Sequence, residues 1–194
     1  MHADKKLWDA FKKGDERALA NIFHTNYPLL HNYGLKISGN ENLVEDCLQD
    51  FFLYLYEKRE QLGEVNYIRA YLFKSFRRRL WRQMKQQNKF VKDVEADGIV
   101  ISPEEIIIHH DDKNYRSEML AEMINRLPER QREVIYLRYY NGLSIDEISE
   151  VLSITYRGVV NTLYKAFKKL RKDKSLLTIL ECMALIFSIQ ATFF

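Results

Sequence analysis

The sequence predicts an all-α protein of two small helical domains joined by a flexible linker, on three observations. Only 3 prolines and 7 glycines occur in 194 residues, and no period-2 runs recur at the spacing of a sandwich or barrel. Apolar residues instead recur at three- and four-residue steps on both sides of a central gap. That gap, "ADGIVISPEE", holds Gly98 and a Ser-Pro step and has no amphipathic period across it.

The elements follow in order. An opening helical block from about residue 4 to 35 places Leu7, Ala10, Phe11, Leu19, Ile22 and Phe23 at helical spacing. Asn40 or Asn42 caps the next helix, whose apolar stripe is Leu43, Cys47, Leu48, Phe51, Phe52 and Leu55. "QLGEVN" breaks it, and a second long helix runs from about residue 67 to 87. Patterning resumes near Tyr115, and Leu127-Pro128 ends one helix and starts another, because proline fits only a first helical turn. Ser144 and Glu147 form a capping box for a short helix with Ile145, Ile148, Val151 and Leu152 inward. A break at Ser153-Ile154 follows. Thr155 caps the last patterned helix, in which Val159, Leu163, Ala166 and Leu170 face inward and Arg157, Asn161, Lys165 and Lys168 do not. This is a helix-turn-helix, whose second helix enters the major groove.

Composition narrows the function. Apolar content of 46% allows real cores, and 29% charge excludes a wholly membrane-embedded protein. Cys47 and Cys182 have no CxxC spacing, and the opening residues lack the apolar core of a signal peptide, so a reduced, cytoplasmic setting is expected. The net charge of +3 hides segregation. Residues 67–92 hold nine Lys or Arg and no acid, residues 153–172 hold six and no acid, and residues 93–122 hold nine carboxylates against two cations. Two basic tracts in one small chain point to two contacts with a polyanion. The histidines have no ligand spacing with either cysteine, and no phosphate loop or nucleophile elbow occurs. No catalytic residue, metal, cofactor or small-molecule substrate is therefore expected.

The stretch "LPERQREVIYLRYYNGLSIDEISEVLSITYRGVVNTLYKAFKKLRK" resembles domain 4 of the extracytoplasmic-function (ECF) sigma factors of bacterial RNA polymerase. "VEDCLQDFFLYLYEKR" and "YIRAYLFKSFRRRLWRQMK" resemble successive regions of sigma domain 2, in the family's order and spacing. The resemblance covers about residues 10–172. It implies domain 2 over 1–90, an acidic linker over 91–115 and domain 4 over 116–173, and it leaves the apolar tail over 174–194 outside the family pattern. It implies as partners core RNA polymerase, promoter DNA and an anti-sigma factor.

The resemblance also assigns residues. Asp46, Gln49 and Asp50, at three- and four-residue steps, would meet core polymerase, while Phe51 and Phe52 read better as core. Arg69, Lys74, Arg77, Arg78, Trp81, Arg82 and Lys85 would lie against the −10 element, where opening needs cations for phosphates and flat rings for unstacked bases. A flipped base falls to the loop before that helix. Arg130, Arg132, Thr155, Tyr156, Arg157, Gly158, Asn161, Lys165 and Lys168 are the −35 candidates. The family commonly has cations where Val160 and Thr162 stand, which shifts phosphate contact toward Arg157, Lys165 and Lys168. The acidic connector reads equally as a nucleic-acid mimic or a solvated tether. The tail "LLTILECMALIFSIQATFF", 14 apolar residues of 19, is open to packing on either domain, to partner docking or to membrane anchoring. A free-standing helix-turn-helix regulator is the alternative, but it leaves the Asp46–Asp50 helix and the first basic tract without use.

Overall fold

The computed structural model describes residues 2–88, 98–106 and 113–171. The apolar tail and parts of the acidic connector lie outside the described residues.

The opening block is two helices, α1 (His2–Lys12) and α2 (Glu16–Ser38), because Gly14 at φ +88° turns the chain between them. The Asp15 side chain caps α2, accepting from the backbone N–H groups of Arg17 at 2.8 Å and Ala18 at 3.1 Å. Gly39, at φ +62°, ends it by donating to the Leu35 carbonyl. Asn40 then caps α3 (Glu41–Lys58), accepting from Leu43 N–H at 3.0 Å. After a 3-10 turn comes α4 (Ile68–Asn88).

These four helices share a core of Trp8, Phe11, Ile22, Leu30, Val44, Leu48, Phe51, Phe73 and Phe76, all nearly inaccessible. Gly34 marks the closest approach within it. A Cβ there would lie 2.9 Å from Val44 Cγ1 and 3.0 Å from Phe76 Cζ, so α2 nests against both α3 and α4 only without a side chain.

The second domain comprises α5 (Lys113–Asn125), α6 (Glu129–Ile135), a π turn at Tyr136–Tyr140, α7 (Ile145–Leu152) and α8 (Tyr156–Leu170). Pro128 caps α6, one position earlier than the first helical turn. The capping box forms as expected: Glu147 N–H donates to Ser144 Oγ at 3.1 Å, and Ser144 N–H donates to the Glu147 carboxylate at 2.8 Å. Ser153 makes the break in a left-handed conformation at φ 53°. Thr155 Oγ1 caps α8 by accepting from Gly158 N–H at 3.0 Å. Ile148, Val151, Val159, Ala166 and Leu170 are buried together with Val134 and Leu137.

Residues 98–106 pack onto this second domain. Ile99 and Ile101 are buried, and Ile101 exchanges two backbone hydrogen bonds with the Asn125 amide, at 2.9 and 2.8 Å. Gly98 sits so close to α6 that a Cβ would meet Glu129 Cγ at 2.4 Å. Lys36 of α2 pairs with Glu105 at 2.6 Å, tying the segment to the first domain too.

Candidate polymerase and nucleic-acid interfaces

Three surfaces and one closure follow from these helices. On α3 the buried stripe leaves Asp46, Gln49 and Asp50 exposed on the opposite side. Leu53, 58% exposed, lies seven residues beyond Asp46 and so returns to the same face, two turns on. The outward face of α3 is thus an apolar side chain bordered by acids. Phe51 and Phe52 point the other way, into the core, with Phe52 edge-on to Phe23 at 4.8 Å.

On α4 the basic residues divide between two sides. Lys74, Arg78 and Arg82, at four-residue steps, form one ridge, and exposed Lys85 continues it. With Tyr54 of α3 and with Tyr71 and Ser75, the first three line a cleft of about 520 Å³ that contains no carboxylate. Arg79 covers its edge, its guanidinium 5.1 Å from the Tyr54 ring centroid. Burial raises the Tyr71 hydroxyl pKa above its ordinary value, so that group stays neutral.

Arg69, Arg77 and Trp81 belong to the other side. Arg69 donates to the Asn141 carbonyl of the second domain at 3.1 Å. Arg77 reaches Glu133 of α6 through Nε at 2.8 Å and through a terminal nitrogen at 3.3 Å, and its guanidinium lies 5.8 Å from the Trp81 ring. Glu133 is 5% exposed. Besides Arg77 it accepts from the Tyr33 hydroxyl at 2.8 Å and from Arg130 at 3.1 Å. One buried carboxylate therefore holds a cation from each domain. Burial first, and the Glu133 charge second, push the Tyr33 hydroxyl well above its ordinary pKa.

On α8, Arg157, Asn161, Lys165 and Lys168 are exposed along one side, with Tyr156, Val160 and Tyr164 exposed beside them. Thr155 is the cap, and the Gly158 carbonyl accepts from the Thr162 hydroxyl at 2.8 Å. Arg130 and Arg132 do not join this face. Arg130 also bonds the Leu152 carbonyl, and Arg132 bonds the carbonyls of Asn125 and Leu127. His31, Glu41 and Glu45 bring donor atoms within 4.8 Å of one another, with both carboxylates exposed.

Sequence reasoning missed Glu133, Tyr54 and Arg79. Tyr54 and Arg79 carried a usable signal, since α3 and α4 share a core and the residues beside its stripe must border one groove. Glu133 carried none, because its burial depends on closure of one domain on the other.

Two all-helical modules, one with an acid-bordered helix and a basic groove and the other a helix-turn-helix, define a protein that joins a protein partner to DNA. The chain belongs to the sigma-70 family of RNA polymerase sigma factors and is of the ECF type: sigma-70 region 2 matches residues 22–90, and sigma-70 region 4 matches residues 117–170. It is 25% identical over 184 residues to the ECF sigma factor SigW of Bacillus subtilis (strain 168), covering 87% of this chain and 95% of that protein. It is also 25% identical over 143 residues to SigZ of the same organism, covering 69% and 74%. Its fold is similar to CnrH, solved in complex with the cytosolic domain of CnrY, with a TM-score of 0.59 at 19% identity over 88% of this chain and 96% of that one. RpoE, solved with the anti-sigma factor NepR from Bartonella quintana, gives a TM-score of 0.53 at 20% identity over 77% and 92%. The chain thus acts in transcription initiation. Among the described residues no helix is long and apolar enough to cross a membrane.

Proposed function

We propose that this chain attaches to core RNA polymerase through the outward face of α3, reads a −35 element with α8 and opens the duplex at a −10 element along the α4 ridge. It does so without chemistry or cofactor of its own and takes no small-molecule substrate. The observation that carries this reading is the separation of the three surfaces. Asp46, Gln49 and Asp50 lie exposed on α3 and, among the described residues, form no ion pair with the α4 ridge of Lys74, Arg78 and Arg82, and Arg157, Asn161, Lys165 and Lys168 occupy a different domain. A free-standing regulator has use for the last surface alone.

In this reading domain 2 is 1–90, the linker 91–115, domain 4 116–173 and the tail 174–194, with residues 98–106 of the linker seated on the second domain. Arg77 and Arg130 are held on Glu133 in the closed arrangement, so on promoter DNA they exchange that carboxylate for phosphate. Two solved relatives were captured with CnrY or with an anti-sigma factor, and an anti-sigma factor acting on the closed form is the inhibitory partner proposed here.

The test is core-dependent promoter opening. Purified chain, sigma-free core polymerase from the same source and genomic promoter fragments are mixed, and unpaired bases are mapped with a single-strand-specific reagent. Opened sites that require both proteins support the reading. Sequence-specific binding without core, and no opening with it, leaves the free-standing regulator.

A further inference from the structure

The cleft between α3 and α4 has the makings of a binding site beyond a basic surface. Its volume of about 520 Å³ falls within the roughly 300–1,000 Å³ of small-ligand sites. Tyr54 supplies a ring that is 42% exposed, pinned on one side by the Arg79 guanidinium. Tyr71 forms the far wall, its ring fixed edge-on to Trp8 at 5.2 Å. Three cations, Lys74, Arg78 and Arg82, border the opening, and no ion pair to any of them is formed among the described residues. A flat ring beside unneutralised cations, with no carboxylate in the lining, suits a ligand that is planar at one end and anionic at the other.

We propose that this cleft holds one nucleotide, its base against Tyr54 and its phosphate on Arg78 and Arg82. The position differs from the loop before α4, to which the family resemblance assigns base capture. That loop is tied down from α1: Trp8 Nε1 donates to the Gly63 carbonyl at 2.9 Å, Lys12 pairs with Glu64 at 3.0 Å, and Asp4 accepts from Ile68 N–H at 3.2 Å. The cleft is also accessible in the closed arrangement. Arg77 faces Glu133, and Arg78, the next residue, is rotated from it by about 100° around α4. The nucleotide is either one residue of a single strand or a free mononucleotide, and both present the same base and phosphate. The first source rests on the −10 reading above; the second does not.

The isolated full chain is titrated with a fluorescein-labelled ten-residue oligodeoxythymidylate, with anisotropy recorded at several salt concentrations. Tyr54→Ala is expected to weaken binding roughly 5- to 150-fold, the range of one lost base–aromatic stack, while Tyr54→Phe, which keeps the ring, binds as the parent chain does. Arg82→Gln lowers the slope of log affinity against log salt by about 0.7, one single-strand phosphate. Tyr54 is a partly exposed side chain, and circular dichroism of Tyr54→Ala verifies that it folds. Thymidine monophosphate added as competitor separates the sources: displacement at submillimolar concentration assigns a free nucleotide, and no displacement assigns a residue within a strand. Equal affinity of Tyr54→Ala and parent overturns the proposal, as does failure of the parent chain to bind the oligonucleotide. Core-dependent opening that persists beside either result overturns the cleft alone and leaves the −10 reading standing.

Discussion

Replacing Glu133 with alanine removes a buried carboxylate that joins the two domains. It accepts four hydrogen bonds, from Tyr33, twice from Arg77 and from Arg130, at 2.8 to 3.3 Å. Charge-assisted bonds of this kind contribute about 1.5–3 kcal/mol each, but desolvating the ions offsets most of that sum. The useful quantity is the penalty of leaving the partner cation behind, about 3–5 kcal/mol for a fully buried pair. The Arg77 side chain is 27% exposed, so water takes up part of the loss, and about 2–3 kcal/mol is the better figure. That shifts the balance between closed and open forms roughly 30- to 150-fold toward open. Amide hydrogen exchange reads it directly. In Glu133→Ala, amides of α6 and α7 exchange faster by up to this factor, while those of the α2–α3 core keep the parent rates. The double variant Arg77→Met/Glu133→Met closes again, because the Arg77 charge is removed with its carboxylate and Arg130, its side chain 38% exposed and still bonded to the Leu152 carbonyl, turns to water. Parent-like exchange in Glu133→Ala would refute the reasoning, as would loss of protection throughout both domains, since either result denies that Glu133 acts between them.

Three further outcomes are expected. Gly34→Ala places a methyl 2.9 Å from Val44, and the overpacking, about 1–3 kcal/mol, outweighs the ~1 kcal/mol that alanine adds to a helix, so the melting temperature falls by a few degrees in a thermal scan. Lys165→Ala and Lys168→Ala each lower the salt dependence of binding to a −35 duplex by about one unit of slope without altering base preference; a changed preference in a substituted-site panel sinks that phosphate assignment. Alkali loosens the fold through buried acids, Cys47 and Tyr33 among them. Burial pushes the Cys47 thiol up to about 11 and raises the Tyr33 hydroxyl well above 10, so both are held neutral. Their folded pKa values exceed the unfolded ones, so this stability is complete below the unfolded values and is lost as pH rises through the folded ones. A thermal scan series then declines from about pH 9 upward, and a flat profile to pH 11 contradicts it.

The fold was legible where local signals decide it. The Ser144–Glu147 box, the Thr155 cap and the inward stripe of α8 are all short-range chemistry, and the structure reproduces each. The opening block reads as one run in sequence because Leu7 to Phe23 keep helical spacing across the turn that Gly14 makes. In sequence the connector reads equally as a mimic or a tether and shows no packed segment; Ile99 and Ile101 are nonetheless buried, since two isoleucines in a non-periodic stretch announce no partner until Asn125 is brought beside them. The basic tract on α4 was one undivided set in the sequence. Its division into a cleft side and a domain-facing side depends on where α6 and α7 come to rest, which is information no residue on α4 carries.

The Asn125–Ile101 pair also sets a leash. While it holds, residues 98–106 travel with the second domain, and the stretch from Asn88 to Gly98 can extend to about 35 Å at most. Elements named for positions −10 and −35 are some 25 base pairs apart, roughly 85 Å along a straight duplex at 3.4 Å per pair. If those two hydrogen bonds, the burial of Ile99 and Ile101 and the Lys36–Glu105 pair let go, the covalent path from Asn88 to Lys113 reaches about the same length. On the promoter reading proposed above, the spacing this chain can span depends on whether the second domain keeps its grip on residues 98–106.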